Sequence, residues 1–142
     1  MRALLDVNIL LALSDSLHKD HDISEAWWRS EFAHGWASCP LTQNGFLRIS
    51  SQKAYQWSRP LSQCITLLQE RTARPEHEFW PDDLSLLDVG SIDHSRVLSH
   101  RHLTDIYLLA LAVKHGGRFV TLDRGAWAGA VRGGQEGSLV VV

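Results

Sequence analysis

Cysteine, methionine and proline are scarce in this chain, and its apolar runs are short. Its 142 residues include two cysteines, Cys39 and Cys64, one methionine and four prolines. Two isolated thiols in apolar surroundings exclude a disulfide framework and suit the reduced cysteines of a cytoplasmic protein. Apolar stretches stop far short of the roughly 20 residues that span a bilayer. Asp6 interrupts the N-terminal apolar residues at once, so neither a membrane segment nor a cleaved leader is expected. Excess charge is missing too. The formal net charge is −2, so no global basic field advertises nucleic acid, and any contact with it depends on local clusters. Repeats, linkers and low-complexity tracts are absent. With 44% hydrophobic residues, the chain is expected to form one soluble domain over residues 1–142 with a substantial core.

What is present is an alternation of short apolar strands and helices. Arg2–Leu5 reads as a first strand, Val7–Leu13 as a helix, and about His18 to Phe32 as a second, amphipathic helix. Trp36–Cys39 follows as a strand, and Pro40 suits the start of a helix running to Ile49. A helix from about Pro60 to Thr72 precedes two short extended segments, Glu78–Trp80 and Leu84–Leu87. From Thr104 a helix runs that is apolar nearly all round and hence buried, with Thr104 as its cap and Gly116-Gly117 closing it. Arg118–Leu122 and Ser138–Val142 complete the strands. The order predicts a three-layer α/β architecture.

Three aspartates take corresponding places in that scheme. Asp6 ends the first strand, Asp123 ends the strand Arg118–Leu122, and Asp105 opens the buried helix. In an open α/β sheet ligands bind beyond the carboxyl ends of the strands, and helices running antiparallel to the strands begin on that same edge. All three carboxylates are therefore expected to converge there. Gln43, in the first turn of the helix from Pro40, belongs to the same edge. Grouped carboxylates repel one another unless a cation relieves them. Mg²⁺ and Mn²⁺ take oxygen ligands, and such an ion can activate water and stabilise charge developing on a phosphate. The expectation is metal-assisted hydrolysis of a phosphodiester.

Each aspartate also has a plain structural reading: Asp6 as a helix cap, Asp105 as a complement to a helix dipole, Asp123 as a turn residue before Arg124-Gly125. The coincidence of three on one edge favours the metal site.

Four segments carry a resemblance. They are Leu4–Leu13, Leu41–Ile49, Leu103–Leu108 and Phe119–Gly125. In this order they resemble the PIN-domain ribonucleases of the VapC toxin type, over nearly the whole chain. The resemblance implies a five-stranded, mostly parallel sheet between helices, an endoribonuclease dependent on Mg²⁺ or Mn²⁺, a homodimer, and a small cognate antitoxin as partner. It makes Asp6, Asp105 and Asp123 the acidic metal ligands. Asn8 and Thr121 become polar supports, and Gln43 a catalytic-site residue that contacts the ion weakly or orients water. Most members carry glutamate at the Gln43 position, although one branch reads Thr-Gln-Asn as this chain does. An amide keeps a carbonyl oxygen but loses a negative charge, which weakens ion binding. Tyr107 stands where some members have another acid.

Further residues have competing readings. His94, Arg96, His100, Arg101 and His102, with Arg48 and Arg124, either contact RNA phosphates or form a solvated surface. The six tryptophans suit packing better than base stacking, with at least one of Trp27 and Trp28 expected outside the core. His18 and His21 lack the further ligands a zinc site needs. Gly45 inside a helix indicates close packing or room for a ligand. Two other classes of function stay in view: a catalytically weak PIN domain that acts by binding RNA or protein, and a receiver-like phosphoacceptor. The second needs a lysine ending a late strand, whereas Lys114 falls inside a helix.

Overall fold

The computed structural model describes residues Met1–Val142. Its elements are β1 (Ala3–Leu5), α1 (Val7–Ser14), α2 (His21–Glu31), β2 (Trp36–Ser38), α3 (Pro40–Ser50), α4 (Leu61–Thr72), β3 (His77–Phe79), α5 (Leu103–Lys114), β4 (Arg118–Thr121) and β5 (Leu139–Val141). The five strands form one sheet in the order β3-β2-β1-β4-β5, and every pairing is parallel. The first strand thus lies at the centre, flanked by elements from far along the chain.

Side-chain alternation along the strands divides the core into two layers. On one face Ala3 and Leu5 of β1, Trp36 and Val120 pack with Ile9, Leu10 and Leu11 of α1, Phe46 of α3 and Leu68 of α4. On the other face Leu4, Ala37 and Phe119 meet Leu108, Leu109, Leu111 and Ala112 of α5, closed by Trp80. Helices therefore cover both faces, as the three-layer expectation required. Six residues of α5 are buried, and a fully buried Leu or Ile contributes about 1.5–3 kcal/mol. That burial anchors the helix despite its lack of a polar stripe.

Gly45 resolves in favour of close packing. A Cβ placed there would lie 2.6 Å from Val7 Cγ2, so α1 and α3 approach at a point where no other residue fits undisturbed. Gly116, at φ +69, ends α5 in the left-handed region.

Three local expectations need correction. Leu84–Leu87 is not extended into a strand; Ser85 Oγ accepts from the Leu87 N–H and Asp88 accepts from Gly90 and Ser91, so local polar bonds turn the chain instead. Thr104 does not cap α5. A 3₁₀ turn, His100–His102, itself capped by Ser99, runs directly into the helix, which begins at Leu103. The second helix starts at His21 rather than His18, because His18 accepts from the Asp20 N–H and forms a turn first. The tryptophans serve packing. Trp36 and Trp80 are buried, the other four are half-buried, and Trp27 and Trp28 both pack against the first core layer from its margin, outside the fully buried cluster.

No helix is long and apolar enough to cross a membrane.

Candidate active site

Asp6 leaves the end of β1 and caps α1, its Oδ1 accepting from the Val7 N–H at 2.7 Å. Its Oδ2 accepts from Thr121 Oγ1–H at 2.6 Å. Thr121, the last residue of the neighbouring β4, is fully buried, and its hydroxyl has two further partners. It accepts from Asn8 Nδ2 at 2.9 Å and from the Asp123 N–H at 3.0 Å. Asn8 Oδ1 in turn accepts from the Leu122 N–H at 3.1 Å. One hydroxyl thus joins Asp6, Asn8 and the backbone of Asp123 into a network across the β1–β4 junction. Asp123 Oδ1 also accepts from the Gly125 N–H at 2.7 Å, fixing the turn in which Arg124 stands exposed. The cap and turn readings of Asp6 and Asp123 are therefore correct locally, and they orient the carboxylates at the same edge.

Asp105 differs. It lies in the first turn of α5, half-buried, and accepts no hydrogen bond from the protein. Burial, followed by the charges of Asp6 and Asp123, pushes its carboxyl up to about 6; the charge of His102 acts in the opposite direction. Asp6 is also raised, chiefly by burial and in lesser part by Asp123, against the lowering effect of its bonds from Thr121, Val7 and Asn8. The three aspartates are close enough to feel one another's charge. They do not form a closed cage: no three His, Cys, Asp or Glu side chains are gathered tightly enough to hold an ion alone. The arrangement is an open set of oxygen donors with no Arg or Lys paired to any of them.

Gln43 sits half-buried in the first turn of α3. Its Nε2 donates to Ser38 Oγ at 3.0 Å, and Ser38 Oγ lies 2.8 Å from His77 Nε2. Ser38 and His77 went unnoticed in the sequence. The available signal was a polar residue at an inward-facing position in each of two short strands.

Other candidates fall away from this edge. Arg48 is exposed in the last turn of α3, about 12 Å along the helix from its start at 1.5 Å per residue. Tyr107 packs against the second core layer; burial and Asp82 push its phenol up to about 12, and it is not among the groups acting on Asp105. Arg96 lies over the Trp127 ring, and His94 bonds the Leu86 carbonyl, so part of the basic cluster is structural. Of that cluster, the charge of His102 acts on Asp105. Burial pushes the Cys39 thiol up to about 11, as befits an inert cysteine. Lys114 ion-pairs with Asp83 from the last turn of α5, at a distance of 3.4 Å, which does not fit a receiver-like site.

No family model matches the chain. Individual relatives do. It is 48% identical over 142 residues to Ribonuclease VapC44 of Mycobacterium tuberculosis (strain ATCC 25618 / H37Rv), covering all of both chains. It is 41% identical over 124 residues to Ribonuclease VapC39 of the same strain, covering 87% of this chain and 89% of the relative. A third relative there, Ribonuclease VapC38, is 37% identical over 126 residues, covering 88% of this chain and 87% of its own.

Proposed function

The chain belongs to the VapC-type toxin ribonuclease family, and from that premise we propose that it is an endoribonuclease, the toxin of a toxin–antitoxin pair, that hydrolyses RNA with a divalent cation. The supporting observation is the electrostatic state of Asp105, raised to about 6 beside Asp6 and Asp123 with no basic side chain paired to any of them. Such a set fits a hard cation by the chemistry of its donors: all oxygens, mutually repelling, and without a protein counter-ion. Its openness fits Mg²⁺ in particular, which keeps several waters and uses few carboxylates alongside substrate phosphate.

Asp6, Asp105 and Asp123 would hold Mg²⁺ or Mn²⁺. Bound there, the ion supplies a more acidic water and offsets charge on the phosphate. The protein's own part is positional. Thr121 and Asn8 hold Asp6 and the Asp123 turn in register, so that two carboxylates remain aimed at one edge without the ion. Asp105 supplies the third charge from the opposite helical layer. Arg124, exposed beside Asp123, and His102, whose charge acts on Asp105, would meet the phosphates of an RNA strand. A cognate antitoxin and a homodimer belong to the same reading.

Incubating purified, antitoxin-free protein with total cellular RNA tests it. Discrete fragments that need Mg²⁺ or Mn²⁺, vanish with EDTA and vanish in Asp6→Asn support the reading. Fragments that persist in EDTA would sink the metal step.

One observation favours a second reading, RNA or protein binding with little turnover: Gln43 stands where most of the family carry an acid, and no closed cluster of ligands is present. Intact RNA from wild type, with strong cleavage by Gln43→Glu, would favour it. Wild-type cleavage abolished by Asp6→Asn removes it.

A further inference from the structure

Gln43 raises a problem that a glutamate would not. A carboxylate presents oxygen whichever way it turns, whereas an amide has an oxygen that attracts a cation and an NH₂ that repels one. The two faces have nearly the same shape, so packing alone hardly selects between them. Hydrogen bonding must.

The bonds behind Gln43 run in one direction. The Thr72 backbone at the end of α4 acts on the His77 ring in the sense of a nearby accepting carbonyl. With Nε2 turned to Ser38, that favours the tautomer with the ring proton on Nδ1 and Nε2 as an acceptor. Ser38 Oγ–H then donates to Nε2 at 2.8 Å. Having spent its one proton, the hydroxyl can only accept from Gln43, and what Gln43 turns toward it at 3.0 Å is Nε2. The amide NH₂ is drawn back toward β2, and Oε1, which bonds no protein group, is left on the other side. Burial holds the His77 pKa below its usual value, and Arg2 and Glu78 act on the ring in opposite senses, which agrees with a neutral, accepting ring.

The fold keeps this series in place. Trp36 pairs with His77 and Ser38 with Phe79, so Ser38, Trp36 and His77 share one face of the sheet, and the His77 ring packs 4.4 Å from that of Trp36. Ser38 is fully buried. At the other end, Val7, next to Asp6, abuts Gly45 of α3, so α3 lies alongside the head of α1 at a point two residues beyond Gln43. We propose that His77 is a positioning residue that, through Ser38, sets the polarity of the Gln43 amide, turning its oxygen outward at the carboxyl edge of the sheet in place of a carboxylate. The inference rests on the metal reading above and assigns a task to an edge-strand histidine that touches neither ion nor RNA.

A buried Ser–His pair could also exist only to satisfy its own polar atoms, and a comparison of variants separates the two roles. Mn²⁺ binding to the full chain is measured by titration calorimetry for wild type, His77→Phe, His77→Gln, Gln43→Glu and Gln43→Glu with His77→Phe. Loss of such a supporting partner typically weakens a metal site by about 10-fold or more, and that is the expected effect of His77→Phe. His77→Gln, whose amide oxygen can take the place of Nε2, should recover most of it. In the Gln43→Glu background, His77→Phe should change affinity by less than about 2-fold, because a carboxylate has no wrong way round. Equal loss in both backgrounds would reduce the pair to a structural role, and unchanged affinity in His77→Phe would overturn the inference.

Nitrogen-detected NMR of the His77 ring supplies a readout independent of metal. An Nδ1–H neutral tautomer supports the proposal, and an Nε2–H tautomer refutes it. If wild type binds no Mn²⁺, the metal reading has failed, and the tautomer decides separately whether the amide is oriented as described.

Discussion

The two sides of the carboxylate edge are built on opposite plans. At the β1–β4 junction, Asp6 has a hydrogen bond on each oxygen, Asp123 anchors a turn, and Thr121 ties both segments to Asn8. At the head of α5, Asp105 has no hydrogen-bond partner in the protein. The first arrangement is complete without a ligand, because backbone and side-chain donors already stabilise its charge. The second is incomplete, since the fold buries a carboxylate beside two others and supplies no donor. On the proposed metal reading, folding and function divide the same edge between them: Asp6 and Asp123 would serve both, while Asp105 is costly to the metal-free fold.

Substitution on each side should separate them most widely. Thr121→Val leaves Asp6, Asn8 and the Asp123 N–H without their shared partner in a buried place, and a loss of about 2 kcal/mol in unfolding free energy is expected. Asp105→Asn removes a repelling charge and no hydrogen bond, so the metal-free protein should melt at a higher temperature than wild type while losing RNA cleavage. Thermal melts in EDTA beside the cleavage assay test both, and a lower melting temperature for Asp105→Asn would break the comparison.

A smaller effect should follow pH. Asp105 has a folded-state pKa raised from 3.8 to about 6, so its protonated form is favoured by folding. Its contribution to stability is full below the unfolded value and is lost as pH rises through about 6. In EDTA, raising pH from 4 toward 6.5 should therefore cost wild type stability that Asp105→Asn does not lose. Mg²⁺ should stabilise wild type more at pH 7.5 than at pH 5, as melts at fixed ionic strength would reveal. Equal Mg²⁺ effects at both pH values count against Asp105 as a ligand.

The smallest effect concerns the contact beneath the site. Gly45→Ala gains helix propensity of about 1 kcal/mol but meets Val7 at a distance no Cβ tolerates, and overpacking costs typically 1–3 kcal/mol. A net loss near 1 kcal/mol is expected in denaturant unfolding, and adding Val7→Ala should reverse it.

Much of this edge was legible in the chain because its signals are local. An apolar strand running straight into an acid marks Asp6 and Asp123, and the all-round apolar pattern after Asp105 marks a buried helix whose start belongs to the same edge. Thr104 was misread as a cap because the competing signal, a 3₁₀ turn held by the Ser99 hydroxyl and carbonyl, is weak in sequence. The link from Gln43 to His77 was not legible at all. Ser38 and His77 are separated by 39 positions, and their contact depends on β2–β3 register, a property of the sheet rather than of either segment.

The central place of β1 has a consequence for the timing of assembly. The first strand to be synthesised carries the first acid, yet its second neighbour in the sheet is β4, and the hydroxyl that seats Asp6 belongs to Thr121. During translation, Asp6 therefore waits for nearly the whole chain before its surroundings exist. A polypeptide cut short by an early stop codon or a stalled ribosome before that point carries the aspartate without the site. On the proposed reading of this edge as the active site of a toxin ribonuclease, the strand order itself would withhold activity until synthesis is almost finished.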